Sequence, residues 1–139
     1  MIALAWPAHE HHDSALEWFL HRGRSKWATC PITQLGFVRI LSNPAFSPDA
    51  LTVKAAVELL RKNVGQTDHE FWPDSLPVQR ALIPHIRDAF GYRQTTDAYL
   101  LALAARRKGK LATFDRGLLE LAIQAKAGTH VELIHTAAR

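Results

Sequence analysis

Two aspartates, Asp97 and Asp115, are the residues of this sequence best placed to do chemistry together. The run between them predicts a helix that begins near Thr95 or Thr96, either of which is a good N-cap, and that ends at Gly109. A helix of about 13 residues rises roughly 20 Å, and the strand of about 5 residues that follows returns roughly 17 Å. Both carboxylates are therefore expected at one edge of an α/β unit, beyond the carboxyl ends of the strands, where such sheets hold their active sites.

Two carboxylates at one edge predict a site for a hard divalent cation. Each residue alone has an ordinary structural interpretation, because Asp97 in a first helical turn is stabilised by the helix dipole and Asp115 before Arg116 and Gly117 suits a turn. Like charges at short distance are costly, however, unless a proton or a metal ion offsets them. Taken as a pair, the two carboxylates favour the metal site.

Composition indicates a single globular domain spanning residues 1–139. Hydrophobic residues make up 47% of the chain and charged residues 22%, and 17 Lys and Arg against 13 Asp and Glu give a net charge of +4. That charge is compatible with a polyanionic substrate without demonstrating one. Cys30 is the only cysteine and the apolar run over 1–6 is too short for a signal peptide or a membrane span, so we expect a cytoplasmic protein without membrane attachment.

Hydrophobic periodicity alternates along the chain between helices and strands, which is typical of an α/β protein with a mainly parallel sheet. The opening segment, over 1–6, fits a helix or a strand. Ser47 as N-cap, followed by Pro48 in the first helical position, predicts the start of a helix. The predicted helices cover 14–22, 33–42, 48–63, 76–87, 96–108 and 118–125. The predicted strands cover 26–32, 69–72, 110–114 and 131–135.

Several of these segments together resemble the PIN-domain ribonucleases, and among them the VapC-type toxins of bacterial toxin–antitoxin pairs. The segments occur in the family's order and spacing and extend over essentially the whole chain. They are His11–His12, Thr33–Pro44, His69–Asp74, Thr96–Ala104 and Leu111–Asp115.

The resemblance implies a parallel central sheet flanked by helices and a metal-dependent endoribonuclease. Members of the family hold Mg²⁺ or Mn²⁺ with an acidic cluster and cleave RNA, a partner antitoxin blocks the site, and dimers are common. By this resemblance Asp97 and Asp115 are the catalytic and metal-binding residues. An alternative is a PIN-like binding module, deficient in carboxylates, that engages an antitoxin or RNA without cleaving it.

The sequence departs from the family pattern in two places. Family members begin with a strand that ends in a metal-binding Asp, and no segment here matches it. We therefore expect the fold to lack that first strand, which leaves one edge of the strands over 26–32 and 110–114 open. The family often has Glu where this chain has Gln34, and an amide oxygen coordinates a cation without contributing charge.

Four further residues are candidates for orienting ligands or binding substrate. Gln34 is expected at the same edge as the carboxylates. Thr96 and Thr113 have hydroxyls that could orient the carboxylates, although an N-cap and an ordinary strand residue are equally good interpretations. Arg39 could contact RNA phosphate, and a surface ion pair is the competing interpretation.

Overall fold

Parallel strand pairs with helices between the paired strands occur in both halves of this chain. The structure, a computed structural model, describes residues 1–22, 25–66, 68–86 and 90–136. It consists of two units, Met1–Asp74 and Ser75–Arg139.

The first unit contains two short strands and four helices among its described residues. In chain order these are α1 (Ile2–Ala5), α2 (His12–His21), β1 (Trp27–Thr29), α3 (Pro31–Leu41), α4 (Val53–Val64) and β2 (His69–Phe71). Strand β1 pairs in parallel with β2, so that Trp27 lies opposite His69 and Thr29 opposite Phe71. The crossover between them is helical, as parallel pairing requires.

The core of the first unit forms where α3 packs on α4. Phe37 and Leu41 of α3 and Ala56 of α4 are almost completely buried. Trp6 and Phe46 pack against this cluster, and their rings meet edge to face at 5.8 Å. Burial of these large side chains holds α3, which carries Gln34 near its N-terminal end, against α4.

The second unit repeats the arrangement with shorter connections. Its elements are α5 (Val78–Leu82), a 3₁₀ turn (Ile83–His85), a second 3₁₀ turn (Tyr92–Gln94), α6 (Thr95–Arg106), β3 (Leu111–Thr113), α7 (Arg116–Gln124), a third 3₁₀ turn (Gly128–His130) and β4 (Val131–Leu133). Strand β3 pairs in parallel with β4, and Leu111 lies opposite Val131. Leu101 of α6 and Ala122 of α7 are fully buried against Val131.

The α/β class and the parallel pairing that the sequence predicts are confirmed. The strands are shorter than predicted, and the described strands form one parallel pair in each unit.

Several helix starts differ from the prediction because other groups satisfy the first backbone N–H groups. Helix α4 begins at Val53, since the hydroxyl of Thr52 accepts from the N–H of Ala55 at 3.1 Å. The hydroxyl of Ser47, the predicted cap, accepts from the N–H of Asp49 in a separate turn instead. Helix α3 begins at Pro31 rather than Thr33 because proline is favoured in the first helical position.

The remaining differences concern helix α2 and the segment predicted as a helix over 76–87. Helix α2 begins at His12, two residues before the predicted start. Pro84 interrupts the second segment, so that α5 ends at Leu82 and a 3₁₀ turn follows. The predicted end at Arg87 lies outside the described residues. Among the residues that the structure describes, no helix has the length and apolar character needed to cross a membrane.

Candidate active site

Asp97 occupies the first turn of α6, at the third helical residue. The predicted threonine cap is wrong, because the helix begins at Thr95 and Gln94 is its N-cap. The side chain of Gln94 accepts from the N–H of Gly91 at 3.0 Å, and the Thr95 hydroxyl donates to the carbonyl of Tyr92 at 2.8 Å. These bonds extend the preceding 3₁₀ turn directly into α6 and leave Asp97 near the positive end of the helix dipole.

Asp115 joins β3 to α7 and is the N-cap of that helix. Its Oδ1 accepts from the N–H of Gly117 at 2.7 Å, and its own N–H donates to the hydroxyl of Thr113 at 3.0 Å. A Cβ at Gly117 would come within 3.1 Å of that Oδ1, so glycine leaves room for the cap. Asp115 is exposed. Its Oδ1 caps the helix, and its Oδ2 is available for a second partner.

The negative charge of Asp115 acts on Asp97. Burial, and after it the negative charge of Asp115, raises the pKa of Asp97 above its ordinary value of 3.8. Asp97 is half-buried, and no described group donates a hydrogen bond to it. The structure thus brings together, within one unit, the two side chains that the sequence singled out.

The donor set of this pair suits a hard divalent cation. Carboxylate oxygens are the ligands that Mg²⁺ prefers, and Mg²⁺ is commonly held by one or two carboxylates with water and substrate phosphates completing its shell. No cluster of three or more His, Cys, Asp or Glu with metal-binding geometry occurs in the part of the chain that is described. The pair therefore fits Mg²⁺ or Mn²⁺ with few protein ligands.

The two threonine candidates belong to the same unit as the aspartates. Thr113 contacts the backbone N–H of Asp115 rather than a carboxylate, so it holds the Asp115 backbone in its capping position. Thr96 is exposed on the first turn of α6, one residue before Asp97. Their action on the carboxylates remains a prediction.

Gln34 and Arg39 belong to the first unit, on α3. The place of Gln34 beside the carboxylates and the contact of Arg39 with RNA phosphate both remain predictions. Arg39 is exposed in the last turn of the helix, where its charge favours the dipole, and it makes no ion pair with any carboxylate of the described residues. Gln34 is half-buried, and its Nε2 donates to the Thr29 hydroxyl at 2.9 Å.

Sequence reasoning missed two residues that contact Gln34 directly or through a neighbour. The Thr29 hydroxyl, which receives the Gln34 amide, also lies 2.8 Å from Nε2 of His69. Forty positions separate Thr29 from His69, so no local spacing could reveal the contact. A sequence-level signal exists only in the prediction that both residues lie on strands.

Comparison with known proteins shows the family to which this chain belongs. The model of the PIN domain matches residues 1–124. Ribonuclease VapC38 of Mycobacterium tuberculosis (strain ATCC 25618 / H37Rv) is 42% identical over 134 residues, covering 96% of this chain and 92% of that protein. Ribonuclease VapC39 of the same strain is 39% identical over 88% of both chains, and Ribonuclease VapC44 is 33% identical over 94% of this chain and 92% of its own length. The chain therefore belongs to the PIN domain family, among the VapC ribonucleases.

Proposed function

We propose that this protein is a metal-dependent endoribonuclease, the toxin component of a type II toxin–antitoxin system, that hydrolyses RNA phosphodiester bonds. Beyond family membership, the proposal is carried by the raised pKa of Asp97, which burial and then the negative charge of Asp115 cause, as expected where two carboxylates lie close together. Such a pair is suited to receive a divalent cation.

Asp97 and Asp115 are the proposed ligands of Mg²⁺ or Mn²⁺. When bound, the ion would supply an activated water and positive charge against the phosphoryl oxygens. The chain's own contribution is to fix the carboxylates, since Asp97 is set by the first turn of α6 and Asp115 by its bond to Gly117. Hydrolysis joins the water oxygen to phosphorus and breaks one ester P–O bond, with the departing sugar oxygen taking up a proton.

The other candidate residues have supporting roles in this proposal. Gln34 offers an uncharged oxygen that can orient a ligand or bind substrate, and the exposed guanidinium of Arg39 binds an RNA phosphate. Thr113 keeps Asp115 in place through its backbone, and Thr96 presents a hydroxyl beside Asp97. Nothing here requires a residue other than these six.

We also propose an antitoxin partner and a homodimer. Exposed apolar side chains on α2 and α4 support a protein interface, since Leu20 is 66% exposed and Val53 is 61% exposed. A single buried, unpaired Cys30 agrees with a reducing compartment, and the cytoplasm is the proposed location.

Cleavage of a fluorogenic RNA by the purified protein tests the catalytic proposal. We expect cleavage with Mg²⁺ or Mn²⁺ and none in EDTA. Asp97→Asn and Asp115→Asn should each abolish cleavage while the circular dichroism spectrum stays unchanged. Glu120→Gln is the matched control, because Glu120 is an exposed carboxylate on α7 whose loss changes the net charge equally. Cleavage by either Asn variant at the parent rate would show that its carboxylate is not catalytic.

Growth of a bacterial host after induction tests the toxin proposal. Induction should arrest growth, and co-expression of a small open reading frame found directly upstream of the gene should relieve the arrest. Continued growth under parent expression, together with no cleavage in vitro under any divalent metal, would favour the binding module instead. Light scattering at twice the chain mass would support the homodimer, and a stable monomer would contradict it.

A further inference from the structure

The hydroxyl of Thr29 lies at the centre of a hydrogen-bond chain that reaches Gln34. Its oxygen accepts a hydrogen bond from Nε2 of Gln34 at 2.9 Å and lies 2.8 Å from Nε2 of His69. Thr29 is only 3% exposed, so water competes poorly for these bonds. All three residues belong to the first unit, and β1–β2 pairing brings them together.

The donor and acceptor of each bond in this hydrogen-bond chain follow from which atoms can donate. The Gln34 amide nitrogen only donates, so the Thr29 oxygen accepts from it. The proton of the Thr29 hydroxyl is then directed to Nε2 of His69, 2.8 Å away. Nε2 accepts this proton when the ring is neutral and carries its own proton on Nδ1.

The neutral form of His69 that this chain requires is the form that its surroundings favour. Burial lowers the pKa of His69, although the Val64 backbone and the nearby Asp68 and Glu70 act in the opposite direction. The imidazole edge also packs on the ring of Trp27, with centroids 4.6 Å apart. The ring is thus held both by hydrogen bonds and by packing.

The hydrogen-bond chain uses only the amide nitrogen of Gln34 and leaves its Oε1 without a donor among the described residues. An unrestrained carboxamide exchanges its nitrogen and oxygen ends by rotation, and the nitrogen end would repel a cation. Because Nε2 is bonded to Thr29, the oxygen is the carboxamide atom that is left to contact a ligand.

We propose that Thr29 and His69 are positioning residues that lock the Gln34 carboxamide, so that its oxygen is free to accept a hydrogen bond or to coordinate a cation. The proposal rests on the proposed function for the role of Gln34. The lock itself can be observed independently of cleavage.

Side-chain amide signals in ¹⁵N-correlated spectra test the lock directly. In the parent, the Gln34 pair should be shifted from free-glutamine values and slow to exchange with water. Thr29→Val, which removes the hydroxyl at similar volume, should return the pair to ordinary values, and Thr29→Ser should preserve it. His69→Leu should weaken it, and His69→Gln, which keeps an acceptor, should restore part of it. Ordinary values in the parent would overturn the proposal, whether or not the protein cleaves RNA.

Kinetics test whether the lock acts through Gln34. Loss of a group that orients a metal ligand commonly costs about 10-fold to 100-fold, so Thr29→Val should lower kcat about 10-fold with KM little changed, and Thr29→Ser should retain the parent kcat. In a Gln34→Ala background, Thr29→Val should have almost no further effect. An equal loss in both backgrounds would mean that Thr29 is merely structural. Parent activity in Gln34→Ala, beside an inactive Asp97→Asn, would refute this inference and leave the proposed function standing.

Discussion

Asp115 carries two roles that substitution can separate, because it caps α7 and is also the proposed metal ligand. The cap is the 2.7 Å bond from the N–H of Gly117 to Oδ1. Asp115→Ala removes this acceptor, and replacing an N-cap by alanine costs about 1 kcal/mol. In a chain of 139 residues that corresponds to a fall in Tm of about 4 °C.

Asp115→Asn keeps an oxygen in the capping position and removes only the charge. Asparagine is as good an N-cap as aspartate. The lost attraction between the carboxylate and the helix dipole is worth about 0.3–1 kcal/mol at an exposed site. Removing the charge also relieves the repulsion that contributes to the raised pKa of Asp97, which acts in the opposite direction. The two effects should largely cancel, so we expect stability within about 0.5 kcal/mol of the parent.

Urea unfolding in EDTA and RNA cleavage with Mn²⁺, on the same preparations, separate the two roles. Both variants should fail to cleave RNA, while only Asp115→Ala should lose stability. Asp115→Ser provides a second capping side chain without a carboxylate and should behave like Asp115→Asn. If Asp115→Asn were as unstable as Asp115→Ala, the cap would not depend on the oxygen acceptor. If it cleaved RNA normally, the proposed ligand role would be wrong.

The folded protein binds a proton at Asp97 more tightly than the unfolded chain does, because the pKa of this carboxyl is raised on folding. The contribution of Asp97 to the free energy of unfolding therefore falls as the pH rises above 3.8. In urea titrations with EDTA, Asp97→Asn should stabilise the protein near neutral pH but not below pH 3.8. Calorimetry should show Mg²⁺ or Mn²⁺ binding with a Kd in the millimolar range or weaker, by analogy with the weakest calcium sites. Binding should weaken further as the pH is lowered, because protons compete for the carboxylates. Micromolar binding would show that further ligands have been overlooked. Lys126 has a φ of 59° at the end of α7, and Lys126→Gly should therefore raise the free energy of unfolding by about 1 kcal/mol, whereas an unchanged value would show no strain there.

The sequence by itself determined the order of helices and parallel strands and the meeting of Asp97 with Asp115. These depend on local relations, because apolar periodicity selects each element and a helix followed by a short strand returns the chain to its starting level. Element ends were less predictable, since side chains compete for the same backbone groups. Gly109 was expected to end α6, yet Lys108 takes the left-handed position, with a φ of 57°, and the N–H of Gly109 bonds to the carbonyl of Ala104.

Only the tertiary structure decided how Gln34 is held and what perturbs Asp97. Thr29 and His69 lie 40 positions apart, and the parallel pairing of β1 with β2 is what brings His69 to the Thr29 hydroxyl. The sequence predicted that two carboxylates would meet, but the raised pKa depends on the burial of Asp97, which the packing of the unit sets. Pattern and spacing report relations within an element or between neighbours, whereas burial and long-range hydrogen bonds exist only once the chain has folded.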